Sequence, residues 1–150
     1  MAIVMYVIGG LVVLMGGTIF FQNQKPKIDL GIKSGKFSEI PTSPNCVSSQ
    51  TDQTEKKVAA LTFKGGLVET KTAMKKAMQA YGSIEIKEET DTYIYAVATT
   101  GKMKYHDDIE LYFDEVNALI QYRSASRAGY SDMGLNRERY DAIAKSYNKQ

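Results

Sequence analysis

The sequence has one cysteine, one histidine and little excess of either charge among its 150 residues. A single cysteine excludes a disulfide within the chain, and one cysteine plus one histidine cannot form a metal centre of several such ligands. We therefore predict no metal and no cofactor. The 19 basic and 17 acidic side chains leave a net charge of +2, far from the excess typical of nucleic-acid-binding proteins. No nucleic-acid partner is predicted.

Charged side chains are absent from residues 1–24, and the first is Lys25. Residues 2–21 are almost purely apolar, and such a run, at about 1.5 Å per residue, spans the roughly 30 Å of a bilayer core. A cleaved signal peptide would have a basic start, a shorter apolar run and small residues at its exit, which this stretch lacks. The pattern predicts a transmembrane anchor over residues 1–24, with the lipid bilayer as the partner of residues 2–21.

Lysines follow the predicted anchor, whereas no basic side chain precedes it. They are Lys25, Lys27, Lys33 and Lys36. The positive-inside rule would place the rest of this single-pass cell-membrane protein in the cytoplasm. Alternatively, the lysines lie near anionic head groups on whichever side of the membrane they emerge.

Residues 25–56 contain all three prolines of the chain, and we predict a juxtamembrane linker and extended segment there. From residue 57 onward, the apolar pattern alternates between strand and helix spacing, which predicts a globular domain over residues 57–150. Its predicted order is β-α-β-β-β-β-α. Because short turns join antiparallel strands, we predict an α+β fold with an antiparallel sheet, helix-grip-like, with the helices on one face.

All four arginines of the chain lie within residues 123–139, among hydroxyl groups and glycines. In one interpretation, Arg127 joins Ser124, Ser126 and the N-terminus of the last helix in a pocket for a phosphate head group or a carboxylate. In the other, the arginines fix a strand-to-helix corner through ion pairs. The candidate carboxylates for such pairs are Asp107, Asp108 and Asp132.

Two stretches resemble the signatures of the domain-of-unknown-function family numbered 1499. The first is Pro44-Asn45-Cys46-Val47-Ser48-Ser49; the second is RSASRAGYSD over residues 123–132, continuing with Gly134 and Asn136-Arg137. Asp107-Asp108 also matches, and the resemblance covers residues 30–144. It implies a bacterial or plastid protein, usually anchored or exported, and it implies no reaction.

The chain departs from this family pattern at two positions. Members often have a second cysteine six residues before Cys46, where this chain has Ile40. They usually have valine where this chain has Ala128. The first departure removes an intradomain disulfide. The family's precedent for export opposes the cytoplasmic placement drawn from the lysines, so the side of the membrane stays open.

A catalytic site could use Cys46 as nucleophile, His106 as base and a neighbouring aspartate to orient the base. However, a lone cysteine is more often a packed residue, and adjacent strand residues point to opposite faces, which disfavours a metal site at His106. We therefore predict a non-catalytic, membrane-anchored binding or accessory domain. Its partner would be a membrane protein complex, an anionic small molecule or a lipid head group. The alternative is a hydrolase-like enzyme using Cys46.

The candidate residues, for binding or for the structural corner, come from both signatures and the paired aspartates. They are Arg123, Ser124, Ser126, Arg127, Tyr130, Ser131, Asp132, Asn136, Arg137, Asp107, Asp108, Asn45 and Cys46.

Overall fold

The computed structural model describes residues 2–26 and 28–150 of the chain. Within these residues there are three α-helices and six strands, with a short 3-10 helix at Thr54–Lys56. The helices are α1 (Ala2–Gln22), α2 (Leu67–Tyr81) and α3 (Leu135–Asn148). The strands are β1 (Cys46–Ser48), β2 (Leu61–Thr62), β3 (Ile84–Glu89), β4 (Tyr93–Thr99), β5 (His106–Asp114) and β6 (Leu119–Ser126).

The strands form one antiparallel sheet in the order β1-β6-β5-β4-β3. Strand β5 pairs with the whole length of β6, from Asp107 opposite Ser126 to Asp114 opposite Leu119. The other edge of β6 is shared: β2 pairs with its beginning and β1 with its end. The later half of β6, which carries Arg123, therefore lies between β5 and β1.

Helices α2 and α3 pack against each other and against one face of the sheet. Both helices bury residues three and four positions apart, and β4, β5 and β6 bury every second residue on this face, as their periodicity requires. The helical contributors are Met74, Ala77, Met78, Tyr140, Ile143, Ala144 and Tyr147. The strands contribute Ile94, Ala96, Ala98, Ile109, Leu111, Phe113, Ile120 and Tyr122.

The opposite face of the sheet is covered by the segment 28–45. Its side chains Phe37 and Ile40 are buried, and Ile40 packs with Cys46 and Ala125 in a small second apolar cluster. We call the face covered by the segment 28–45 the segment face, and the face covered by α2 and α3 the helix face. Because side chains alternate along a strand, Asp108 and the residues in phase with it lie on the segment face.

The α+β class and the antiparallel sheet are confirmed. In the part of the chain that the structure describes, no helix is both long enough and apolar enough to cross a membrane. This finding overturns the prediction of a transmembrane helix and of a single-pass membrane topology. The prediction relied on the length of an uncharged run of residues, which forms helix α1.

Part of the predicted linker belongs to the sheet. Cys46–Ser48 form β1, which pairs with β6 and adds a strand to the predicted order. A strand of three residues, all buried, has no visible alternation, so the sequence pattern could not indicate it. The predicted domain boundaries stay a prediction.

Candidate functional site

Strand β5 supplies three buried carboxylates, and each binds one arginine of the 123–139 stretch. Asp107 lies on the helix face of the sheet, whereas Asp108 and Glu110 lie on the segment face. The pairs are Asp107–Arg139, Asp108–Arg127 and Glu110–Arg123. Five of these six side chains are at most 2% exposed, and Arg127 is 11% exposed. Three of the four arginines are therefore neutralised inside the domain.

Arg127 binds Asp108 with its planar fork. Its Nε lies 3.0 and 3.1 Å from the two carboxylate oxygens, and its Nη2 lies 2.8 Å from Oδ1. The Tyr95 hydroxyl donates to the same Oδ1 at 2.7 Å. The side chains of Ser124 and Ser126 lie on the other face of β6, the helix face, where both form hydrogen bonds with Asn136. The structure therefore separates the three residues from which an anion pocket was predicted.

We expect the Tyr95 hydroxyl to make the free energy of unfolding decrease at alkaline pH. Burial, together with the hydrogen bond to Asp108, raises the pKa of Tyr95 to about 12 from its ordinary value of 10.0. The stabilisation by the protonated Tyr95 hydroxyl is fully present below pH 10 and decreases as the pH rises to 12, because in this range the hydroxyl ionises more readily in the unfolded chain than in the folded one. Tyr95→Phe should flatten this decrease by at most about 1.4 kcal/mol per pH unit. Urea unfolding at several pH values between 9 and 12 measures this; parallel profiles for the two proteins would contradict it.

The Arg123–Glu110 pair attaches the covering segment to the sheet. Arg123 Nε donates to Glu110 Oε2 at 2.6 Å. The guanidinium also donates to the carbonyl oxygens of Ser38 at 2.6 Å and Asp29 at 2.8 Å. The backbone N–H of Gly31 donates to Glu110 Oε1 at 2.7 Å. One buried ion pair thus satisfies three backbone groups of the segment 28–45.

Asn136 connects the two signature segments from within the core, where it is fully buried. Its amide nitrogen donates to Asn45 O (3.1 Å), Ser126 Oγ (3.0 Å) and Asp132 Oδ2 (2.7 Å), and its amide oxygen accepts from Arg139 Nη1 (2.8 Å) and Ser124 Oγ. Residues from β6, α3 and the turn before β1 meet at this single amide. The network fixes the geometry of the corner between β6 and α3.

The N-terminus of α3 is already occupied by a carboxylate of the chain. Asp132 accepts the backbone N–H of Gly134 at 3.0 Å and that of Asn136 at 2.8 Å. Gly134 has a φ of 86°, a left-handed conformation that favours glycine. Asp132 therefore supplies the capping interaction, and these N–H groups are not available to an external anion.

A cavity of about 540 Å³ lies where the two signature segments meet, and we call it the signature cavity. Its wall includes Cys46, Tyr130, Met133 and Arg137. Arg137 Nη2 donates to the carbonyl oxygens of Glu55 at 2.8 Å and Lys57 at 3.0 Å. Among the described residues, no carboxylate forms an ion pair with Arg137, so its charge is the one left uncompensated in the arginine cluster.

Cys46 and His106 do not form a nucleophile–base pair. Cys46 is 2% exposed, and its thiol donates to the carbonyl oxygen of Ser43 at 3.5 Å. Strand β6 lies between β1 and β5, so two strand spacings, roughly 10 Å, separate the strands that carry Cys46 and His106. Burial and the charge of Arg127 lower the pKa of His106. The sheet thus places the imidazole beside Arg127 rather than beside the thiol.

Three residues of these networks are absent from the predicted candidates: Glu110, Tyr95 and Arg139. Alternation along β5 puts Glu110 on the same face as Asp108, and this spacing could have identified it. Arg139 follows Asn136 by three positions, so it lies on the same face of α3. Tyr95 gave no signal, because tyrosine is an ordinary residue of strands.

Comparisons with curated proteins and with solved structures found no match. The family model described as Protein of unknown function (DUF1499) matches residues 36–146. This range contains both signature segments, the three paired carboxylates and all four arginines. It covers well over half of the chain, so the chain belongs to the DUF1499 family of proteins of unknown function.

Proposed function

We propose that the domain is a non-catalytic binding module that takes an anionic small molecule with an apolar portion in the signature cavity. This proposal rests on one observation about the signature cavity. Two segments about 80 residues apart in sequence line one cavity, and the wall of this cavity holds Arg137, the arginine without an ion-pair partner among the described residues.

The size and the lining of the cavity favour a small ligand. Its volume of about 540 Å³ falls within the range of roughly 300–1,000 Å³ in which small-molecule sites occur. Tyr130 is 75% exposed and Met133 is 94% exposed, so both can contact an apolar group. Met133 is held at a φ of 56°, which is uncommon for a residue other than glycine and is often found at binding sites.

The charge of Arg137 favours a carboxylate or phosphate over a neutral group. One Nη atom holds the carbonyl oxygens of Glu55 and Lys57, which fixes the plane of the guanidinium. A fixed fork loses little conformational freedom when it binds two oxygens of an anion. A binding role also suits the buried thiol of Cys46, which packs and donates to a carbonyl oxygen instead of facing a base.

Octanoate and 1-octanol test this proposal, because they share an apolar chain and differ in charge. We expect octanoate to bind the full chain in isothermal titration calorimetry, and Arg137→Met to weaken that binding at least tenfold, about 1.4 kcal/mol. Octanol should bind equally weakly to both proteins.

Lys145→Met is the matched control, since Lys145 is an exposed cation on the same helix. It should leave octanoate affinity unchanged. Equal octanoate affinity in Arg137→Met and in the unsubstituted chain would contradict the proposal, as would an equal loss in both methionine variants.

A further inference from the structure

A second cavity, of about 310 Å³, lies on the other side of the loop 128–134, and we call it the helix cavity. The apolar residues in its wall are Ile19 from the end of α1, Tyr105, Ala128, Met133 and Leu135. It shares Ser131, Asp132 and Met133 with the signature cavity, so the loop separates the two. Its volume is about twice the roughly 150 Å³ at which an apolar cavity binds benzene.

The carboxylates in this wall are already engaged by the protein, and among the described residues the wall contains no cationic side chain. Asp107 binds Arg139, Asp132 accepts the N–H groups at the start of α3, and Ser126 accepts from the Asn136 amide. Thr100 and Ser131 accept the backbone N–H groups of Tyr105 and Met133. A cationic ligand would have to compete with the groups that already hold Asp107 and Asp132, and an anionic ligand would lose its hydration without gaining a cation from the described part of this wall.

We infer that the helix cavity is a binding site for an uncharged apolar ligand, such as an aromatic ring or a short hydrocarbon chain. The inference depends on the apolar side chains of this wall and on the lack of a cationic side chain among its described residues, and not on Arg137, so it is independent of the proposed anion site. A ligand here would touch both Ile19 and Ala128, and it would therefore bridge α1 and the loop 128–134.

Hydrogen bonds already hold the end of α1 next to this cavity. Asn23 Oδ1 accepts the backbone N–H of His106 at 2.7 Å, and Asn23 Nδ2 donates to Lys104 O at 2.8 Å. The wall contributed by α1 is thus fixed to the start of β5. The ligand adds apolar contact to a junction that the side-chain hydrogen bonds of Asn23 have already positioned.

Toluene is the probe, titrated into the full chain and observed by NMR. We expect saturable shifts, with nuclear Overhauser contacts from the ring to the methyl groups of Ile19 and Ala128. Ala128→Phe places a ring in the cavity and should weaken binding at least tenfold. Ala128→Val adds two methyl groups and should weaken it by a smaller factor. Ala142→Phe, on the exposed side of α3, is the control and should leave the affinity unchanged.

The contact pattern keeps the inference testable even if Ala128→Phe does not fold. Absence of saturable binding would overturn it, as would contacts to Tyr130 without contacts to Ile19, or unchanged affinity in Ala128→Val. Benzoate should bind more weakly than toluene in this cavity, because the wall, as far as the structure describes it, contains no cationic side chain to balance its carboxylate. Arg137→Met should leave toluene binding intact, which separates a failure of this inference from a failure of the proposed function.

Discussion

Replacing Arg123 with methionine should lower the free energy of unfolding by about 3–5 kcal/mol, the largest effect that we expect from any single substitution outside the core. Arg123 is fully buried, and its loss leaves the Glu110 carboxylate charged and without its cation. It also leaves the carbonyl oxygen of Ser38 without its donor and removes one of the two donors to the Asp29 carbonyl oxygen. Urea unfolding at pH 7 measures the change.

The effect should come from the uncompensated charge and not from lost volume. In Arg123→Met combined with Glu110→Gln, the glutamine oxygen can still accept the Gly31 N–H and the Tyr93 hydroxyl, as Glu110 does at 2.7 Å. We expect the double variant to recover much of the lost stability, since removing both charges of a buried pair costs far less than removing one.

Lys87→Met is the control for the Arg123 substitution, because Lys87 pairs with Glu85 on the surface, where both side chains are well exposed. It should change stability by less than about 1 kcal/mol. Hydrogen exchange gives a local readout: the Gly31 amide should lose protection in Arg123→Met. A small stability change together with a protected Gly31 amide would contradict our account of the segment face.

The sheet and its two packing helices could be predicted from the sequence because their apolar residues repeat at regular spacing. Ile109, Leu111 and Phe113 alternate with polar residues in β5, and Met74 and Met78 recur at helical spacing in α2. The same alternation places Arg123 and Arg127 together, and Ser124 and Ser126 on the opposite face. The assignment of Arg127 and the two serines to one pocket overlooked this phase.

The burial of the polar face of the sheet could not be predicted in the same way. Alternation shows that Asp108 and Glu110 share a face, and such a face usually lies in water. Here the segment 28–45 covers it, although this segment has neither helical nor strand periodicity and contributes backbone groups and single side chains such as Phe37. Contacts of this kind depend on the path of the chain, which no local pattern records.

Substituting Asn136 should have the second-largest effect, because one amide serves both signature segments. Asn136→Ala leaves the Ser126 hydroxyl without its donor and the Ser124 hydroxyl without its acceptor in a buried site. The Asn45 carbonyl oxygen keeps the Ser126 N–H, and Arg139 Nη1 keeps Ser124 Oγ, so each of these two groups loses one of two hydrogen bonds. At about 1–3 kcal/mol for each buried group left unsatisfied, partly offset by relaxation, we expect a loss of about 3 kcal/mol. Asn148→Ala, on the exposed end of the same helix, should change stability by less than about 0.5 kcal/mol.

Asn136→Asp tests the orientation of the amide, because it keeps the shape and replaces the donor with a second acceptor. One oxygen can still accept from Arg139 Nη1, but the other now faces the Asp132 carboxylate and the Asn45 carbonyl oxygen. This repulsion raises the pKa of the new carboxyl in the folded state above its ordinary value, so the deficit should be largest at neutral pH and should shrink as the pH falls toward about 4. Urea titrations of Asn136→Asp and Asn136→Ala, each at pH 7 and at pH 4, measure how far the deficit of each variant shrinks on acidification. A deficit in Asn136→Asp that does not decrease on acidification, relative to that in Asn136→Ala, would mean that the amide nitrogen does not face these acceptors.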